Sequence, residues 1–233
     1  MIKPPSCRPC FLYSKSNSFS KPYGTCKNGV LVCGEALGHE EAINGYPFNE
    51  LAQAGSKLEQ CFKLAGFQRK DFLLWNVIAC QPYGNSLLQY GFQIELAKHH
   101  CYETYFKEII NEYKPRCILA LGNTAFQYLT NTEHSVLVVR GFPFRFARSR
   151  NAGVNPLVVG SYHPSYIKRG KGYLTPLLVE DIRKSVQVAK GEAMICSEVM
   201  ERVSRVQGNY SSSEESEGNL NEQETEEESS IPF

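Results

Sequence analysis

The sequence contains no apolar run approaching the roughly 18 residues that a membrane-spanning helix needs, which argues against an integral membrane protein. Its first ten residues, MIKPPSCRPC, lack the apolar segment of a secretion signal, so a cytoplasmic protein is expected. Nine cysteines in a chain without an export signal point to reduced thiols or a metal site and away from a disulfide framework. No internal repeat is visible. Net charge is nearly absent as well, with 25 Lys and Arg against 24 Asp and Glu. What is plentiful is core-forming material: 42% of the 233 residues are hydrophobic and 21% charged, which excludes wholesale disorder.

The balanced charge is an average over two unlike segments. Residues 208–233 hold eight Glu and no Lys, Arg or Asp, so residues 1–207 carry 25 basic against 16 acidic residues, a net of +9. A basic body suits an anionic partner, nucleic acid first, although a soluble body with a solubilising tail fits the same numbers. Residues 208–233 are poor in apolar side chains and are expected to be a disordered acidic tail. Residues 191–207 form an amphipathic stretch read as a helical extension, and 1–190 as one domain.

Within that domain four short apolar runs read as buried strands: Gly29–Cys33, Phe72–Val77, Cys117–Leu121 and Leu157–Ser161. Helical spacing fills the gaps. Leu51, Leu58, Phe62 and Ala65 mark one helix face, and Tyr102, Tyr105, Phe106, Ile109 and Ile110 a second. Asn123–Leu129 is a shorter helix, and Pro176 opens a longer one through Ala189. Non-alternating strands that alternate with helices predict a central four-stranded, mainly parallel sheet in a three-layer α/β/α fold.

Ligands of open parallel sheets bind beyond the carboxyl ends of the strands. The chemically unusual residues fall there: Gly34-Glu35-Ala36-Leu37-Gly38-His39-Glu40-Glu41 and Gly45-Tyr46-Pro47-Phe48 after the first strand, and Asn76 at the end of the second. Gly122-Asn123 follows the third, and Tyr162-His163-Pro164-Ser165-Tyr166-Ile167-Lys168-Arg169 the fourth. Cys7 and Cys10 form a C-x2-C pair, and Cys80 and Cys101 flank a later loop. Together they offer four thiolates, which suit zinc or an iron–sulfur cluster. The remaining five cysteines sit among apolar neighbours or alone and read as small hydrophobes.

Seven segments in order, from the Cys7/Cys10 pair through GEALGHEE with GYPF, WNVIACQPYGN, Cys101, KPRCILALGNTA and Arg140-Gly141 to YHPSYIKR, resemble the family 4, iron–sulfur uracil-DNA glycosylases. The resemblance covers nearly all of residues 1–190. It implies the uracil-glycosylase α/β/α sheet, a [4Fe–4S] cluster on Cys7, Cys10, Cys80 and Cys101, and hydrolysis of the N-glycosidic bond of deoxyuridine in single- or double-stranded DNA by a monomer. In its terms Phe48 stacks on a flipped uracil, Asn76 reads its edge, Gly34 belongs to the binding loop, and Glu41 stands beside the ring to block a 5-methyl group. His163 donates to the charge developing on O2, while Glu35, Glu41 or a backbone carbonyl of their loop orients the water. Ser165, Tyr166, Ile167, Lys168, Arg169 and Lys171 belong to the loop that enters the minor groove, with Tyr166 or Ile167 filling the gap and the cations holding phosphates.

The chain departs from the family at Leu37, where a proline is usual, at Ser86, where an arginine is usual, and in a longer Cys80–Cys101 gap. Its end, an acidic run closing on Ile231-Pro232-Phe233, resembles the tip of bacterial single-stranded-DNA-binding proteins, which implies partners that recognise that tip and a prokaryotic or phage setting. The rival reading is an inactive glycosylase-fold module that binds DNA or docks proteins through this tail.

Overall fold

A computed structural model describes residues 2–148 and 154–192. Most of the expected helical extension and all of the acidic tail, with its Ile-Pro-Phe end, lie outside the described residues. The strands are β1 (Ser16–Asn17), β2 (Tyr23–Gly24), β3 (Val30–Ala36), β4 (Leu73–Ile78), β5 (Gln81–Pro82), β6 (Cys117–Leu121), β7 (Pro143–Arg145) and β8 (Leu157–Ser161). The helices are α1 (His39–Asn44), α2 (Gln53–Ala65), α3 (Gln93–Cys101), α4 (Lys107–Tyr113), α5 (Asn123–Thr130), α6 (Val136–Val139), α7 (Pro164–Lys168) and α8 (Thr175–Lys190).

The central sheet has six strands in the order β2-β4-β3-β6-β8-β7. Its inner four, β4, β3, β6 and β8, are parallel and correspond to the four apolar runs. Both edges are antiparallel, β2 on β4 and β7 on β8, so the expected four-stranded sheet is widened by one strand on each side. These edges have two or three residues, too few to show periodicity, and Pro143 reads as a breaker although proline is tolerated on an edge.

The inner strands are buried on both faces, which is why their sequences do not alternate. Val30, Val32, Leu74, Leu119 and Val159 meet Leu58 and Phe62 of α2 and Leu178, Ile182 and Val186 of α8. The opposite face carries α5 and α3. Gly160 has no Cβ because one would stand 2.9 Å from a ring carbon of Phe126, so α5 packs directly on the strand backbone.

Two helix expectations change. Leu51 does not join the buried face of α2; it precedes the helix and is 83% exposed. The second helix begins nine residues earlier than its apolar spacing predicts, as α3, and runs on through a π-helical turn (Tyr102–Phe106) into α4. That turn adds a residue per turn and shifts the apolar face, which conceals the continuity from a 3.6-residue reading.

In-register pairing of Gly34 with Asn76, and of Leu121 with Ser161, brings the strand ends to one rim. The rim is braced from below. Arg140 donates from Nε and Nη2 to the two carboxylate oxygens of Asp181, at 3.0 and 2.8 Å, and Ser161 Oγ donates to the same carboxylate at 2.5 Å. Asp181 is buried, and burial pushes its carboxyl up to about 6 against the opposing pull of Ser161 and Arg140. Arg140→Met strands that carboxylate without its cation and should cost about 3 kcal/mol in urea unfolding at pH 7.5. Below the Asp181 pKa the carboxyl is protonated, so the loss should shrink toward pH 5; an equal loss at both pH values would refute the pairing as its cause.

Candidate active site

Beyond the strand ends lies a cavity of about 620 Å³. The loop of residues 35–41 forms one wall and Phe48 part of the floor. Gly122, Asn123, Tyr162, His163 and Arg169 line other parts, and Pro82 of β5 closes a side with Asn85 and Leu87 from the loop that follows.

The Phe48 backbone is left-handed, at φ 54°, a conformation non-glycine residues rarely adopt. Two buried side chains hold it there. Phe48 N–H donates to Glu41 Oε1 at 2.9 Å, and Arg69 Nη2 donates to the Phe48 carbonyl and, at 3.3 Å, to that of Pro47. The second oxygen of Glu41 accepts Gly38 N–H at 2.8 Å. Glu41 thus ties both ends of its loop together. Burial raises its carboxyl pKa, and the two backbone donors pull the other way. The Arg69 guanidinium lies 5.3 Å from the Tyr23 ring centroid, and Tyr23 in turn stacks on Tyr46.

Gly34 is where the floor converges. A Cβ there would stand 2.5 Å from Asn76 Oδ1 and 2.6 Å from Phe48 Cζ, so only glycine lets the amide and the ring approach. Asn76 is 1% exposed, and among the described residues neither its amide nitrogen nor its oxygen has a hydrogen-bond partner. A buried side chain with a free donor and a free acceptor costs several kcal/mol, of order 1–3 for each group, unless something completes it. Asn76 adjoins Gly34 and the Phe48 ring at the edge of the cavity and does not itself line it.

His163 occupies the N-cap of α7. Its Nδ1 accepts Ser165 N–H at 3.2 Å and lies 2.8 Å from Ser165 Oγ. A backbone N–H only donates, so Nδ1 is the bare nitrogen and the neutral ring carries its proton on Nε2. Burial, reinforced by the charge of Arg169, pushes the imidazole pKa down to about 4. The ring centroid is 5.8 Å from that of Phe48. Glu35 is half-buried on the cavity wall, and no hydrogen bond or ion pair engages its carboxylate among the described residues.

Along the loop after His163, Lys168 and Arg169 are exposed, and Tyr166 stacks on Tyr162 with Lys171 Nζ 4.9 Å from its centroid. Ser165 is half-buried beside the imidazole. Ile167 does not fit its expected role. It is 1% exposed and packs in the core beneath α7, so it has no reach toward a DNA stack.

The four expected cysteine ligands line one small cavity just past the end of β4, together with Lys3 and His100. Cys7 and Cys10 share a tight turn, Cys80 follows β4, and Cys101 ends α3. The β1–β5 pair, Ser16 opposite Pro82, fastens the N-terminal segment to the chain just past Cys80. All four thiols are free. Burial raises their pKa values, Cys80 up to about 11, while the Lys3 ammonium lowers those of Cys7, Cys10 and Cys80. Among the described residues no three His, Cys, Asp or Glu side chains are set to share one metal ion. The donor chemistry nevertheless fits a thiolate-bound cluster, whose cysteines each bind a different iron and do not converge on one point. Cys26, Cys33, Cys61 and Cys117 are buried elsewhere, and Cys196 lies outside the described residues.

Arg69 and the tautomer-setting role of Ser165 escape a reading of the sequence. Arg69 sits in the polar turn GFQRKDF, which resembles any solvated connection, and no spacing links it to Phe48.

Fold and site define a class. The sequence model of the uracil DNA glycosylase superfamily matches residues 21–187, and the chain belongs to that superfamily. Relatives lie among proteins named type-4 uracil-DNA glycosylase. The chain is 27% identical to that of Archaeoglobus fulgidus over 166 residues, covering 70% of this chain and 78% of the relative. Identity is also 27% to that of Pyrobaculum aerophilum, with 70% and 80% covered, and to that of Saccharolobus solfataricus, with 76% and 79% covered.

The imidazole makes a direct prediction. Its ring-proton NMR signals should titrate near pH 4 in the folded protein. Because folding lowers this pKa from 6.5, the proton favours the unfolded chain, so the contribution of His163 to stability is complete above about 6.5 and lost as pH falls through 4. A titration midpoint of 6–7 would refute the desolvated, neutral state.

Proposed function

We propose that this protein is a uracil-DNA glycosylase, hydrolysing the N-glycosidic bond of deoxyuridine in DNA and so starting base excision repair. The observation that carries the reading is Asn76. Its unpartnered amide offers one acceptor and one donor, and uracil presents the complement, an N3–H and an O4. Cytosine presents the reverse at both positions. A base inside a duplex is out of reach of such a group, so the nucleotide turns out of the stack, at a cost of a few kcal/mol. Phe48 then supplies the face on which the ring lies, with Gly34 beneath its edge. Glu41 blocks a thymine methyl group and, through Phe48 N–H, keeps that face in place.

Cleavage of the C–N bond moves the bonding electron pair onto the base and leaves a cationic sugar. His163, neutral with its proton on Nε2, donates a hydrogen bond to O2 as negative charge builds there and need not transfer the proton. A water captures the sugar cation, adding its oxygen to C1′ and passing a proton to solvent or to Glu35, whose carboxylate is otherwise unengaged. Lys168, Arg169 and Lys171 take phosphates of the flanking strand. The single catalytic domain spans residues 1–190.

Cys7, Cys10, Cys80 and Cys101 would hold a [4Fe–4S] cluster. The chemistry it supplies is structural: four thiolate bonds that fasten the N-terminal turn and α3 to the end of β4. A protein purified without oxygen should be brown and absorb near roughly 400 nm, and Cys80→Ala should be colourless. A colourless parent protein containing zinc would reject the cluster.

The reaction is tested with a uracil-containing oligonucleotide, treated with alkali after incubation to cut abasic sites. The parent protein should produce strand scission. His163→Ala should slow it about 10²–10³-fold, and Asn76→Ala should lower kcat/KM by at least about 10²-fold while losing preference over cytosine. Absence of scission by the parent protein, loaded with its cluster, would leave a DNA-binding or docking module in place of an enzyme.

A further inference from the structure

We propose that Leu137, presented by α6 at the cavity mouth, is the apolar wedge that enters the DNA stack where the target nucleotide leaves it. This rests on the reading of the cavity as a uracil-excising site. The helix α6 consists of Val136-Leu137-Val138-Val139, four apolar residues of which only the outer two are used for packing. Val136 and Val139 are buried, Val136 against the bare backbone of Gly160. Between them Leu137 is 58% exposed and Val138 77% exposed.

This turn is pinned. Ser135 Oγ accepts Leu137 N–H at 3.2 Å, and Asn123 Oδ1 accepts Val136 N–H at 2.8 Å. Asn123 is itself a wall residue of the cavity, so the turn is fastened to the site and not to a remote surface. A single exposed leucine needs no explanation. Leu137 differs because it also lines the mouth, and the same mouth is lined by Tyr166 and Arg169. One rim is therefore apolar and rigidly held, and the other is aromatic and cationic.

Duplex DNA with a nucleotide turned out matches both rims. Its phosphates meet Arg169 and the neighbouring Lys168, and the vacated space between base pairs is an apolar slot of the kind filled by leucine, isoleucine or phenylalanine wedges. Of the two residues expected in that role, Ile167 is sealed in the core, and the Tyr166 ring is stacked on Tyr162 with the Lys171 ammonium over it. Leu137 is a positioning residue in this scheme: it keeps the flipped state populated and touches neither the scissile bond nor the uracil.

The test separates flipping from chemistry. Uracil excision by Leu137→Ala is measured on duplex and on single-stranded DNA of the same sequence. In parallel, fluorescence is followed from 2-aminopurine placed beside an uncleavable 2′-fluorinated deoxyuridine in a duplex, which brightens when its neighbour leaves the stack. Phe142→Ala serves as control, since Phe142 is 54% exposed but is not on the cavity wall. Losing the wedge should cut duplex excision at least about tenfold relative to single-strand excision and abolish the fluorescence rise. Leu137→Met should restore both, and Phe142→Ala should match the parent. Equal losses on both DNA forms, an unchanged duplex rate, or an undiminished fluorescence rise would overturn the proposal. A parent protein that excises from neither form refutes the glycosylase reading, and the fluorescence then decides the wedge alone.

Discussion

The site depends on the backbone of one residue. Phe48 sits in a left-handed conformation that its own side chain disfavours, and two oppositely charged groups, Glu41 at its N–H and Arg69 at its carbonyl, hold it there. Each is a buried charge used as a hydrogen-bonding bracket for backbone groups that would otherwise go unpaired. Release of either would let Phe48 relax toward ordinary backbone angles, and its ring would leave Gly34 and Asn76. The floor of the cavity exists because that turn is enforced.

The second constraint is the parallel register of β4, β3, β6 and β8. Pairing Gly34 with Asn76 and Leu121 with Ser161 places four unrelated loops on one rim. The Arg140–Asp181–Ser161 network fixes the end of β8 from the α8 side, two residues before His163. The imidazole is then set by its immediate neighbour, since Ser165 N–H leaves Nε2 as the proton-bearing nitrogen. Desolvation, reinforced by the Arg169 charge, lowers its pKa and keeps the ring neutral. The surroundings of the two polar groups differ in kind: His163 is hydrogen-bonded into a defined tautomer, whereas neither polar atom of the Asn76 side chain has a partner among the described residues.

Much of this architecture is legible in the residues. The four inner strands announce themselves because burial on both faces removes polar positions, and Cys117–Leu121 and Leu157–Ser161 are found with the boundaries their apolar runs predict. The edge strands are not legible, because two or three residues cannot carry a period. The π-turn at Tyr102–Phe106 is hidden for a related reason: it breaks the helical phase on which the reading relies. Leu51 misleads because apolar spacing says nothing about where a helix starts.

For the site, the sequence determines the chemical inventory: an amide, an imidazole, two glutamates, an aromatic ring and a basic loop, each at the end of an apolar run. It also determines the paired spacing of Cys7 and Cys10 and the charge contrast between residues 1–207 and the glutamate-rich remainder. Tertiary structure alone decides how each group is used. It turns Ile167 inward and Leu137 outward, gives Glu41 to the backbone while leaving Glu35 unengaged, and brings Arg69 from a distant turn to the Phe48 carbonyl. The reason is physical: residue identity sets what a side chain can donate, accept or bury, but burial and partners depend on contacts between segments far apart in the chain.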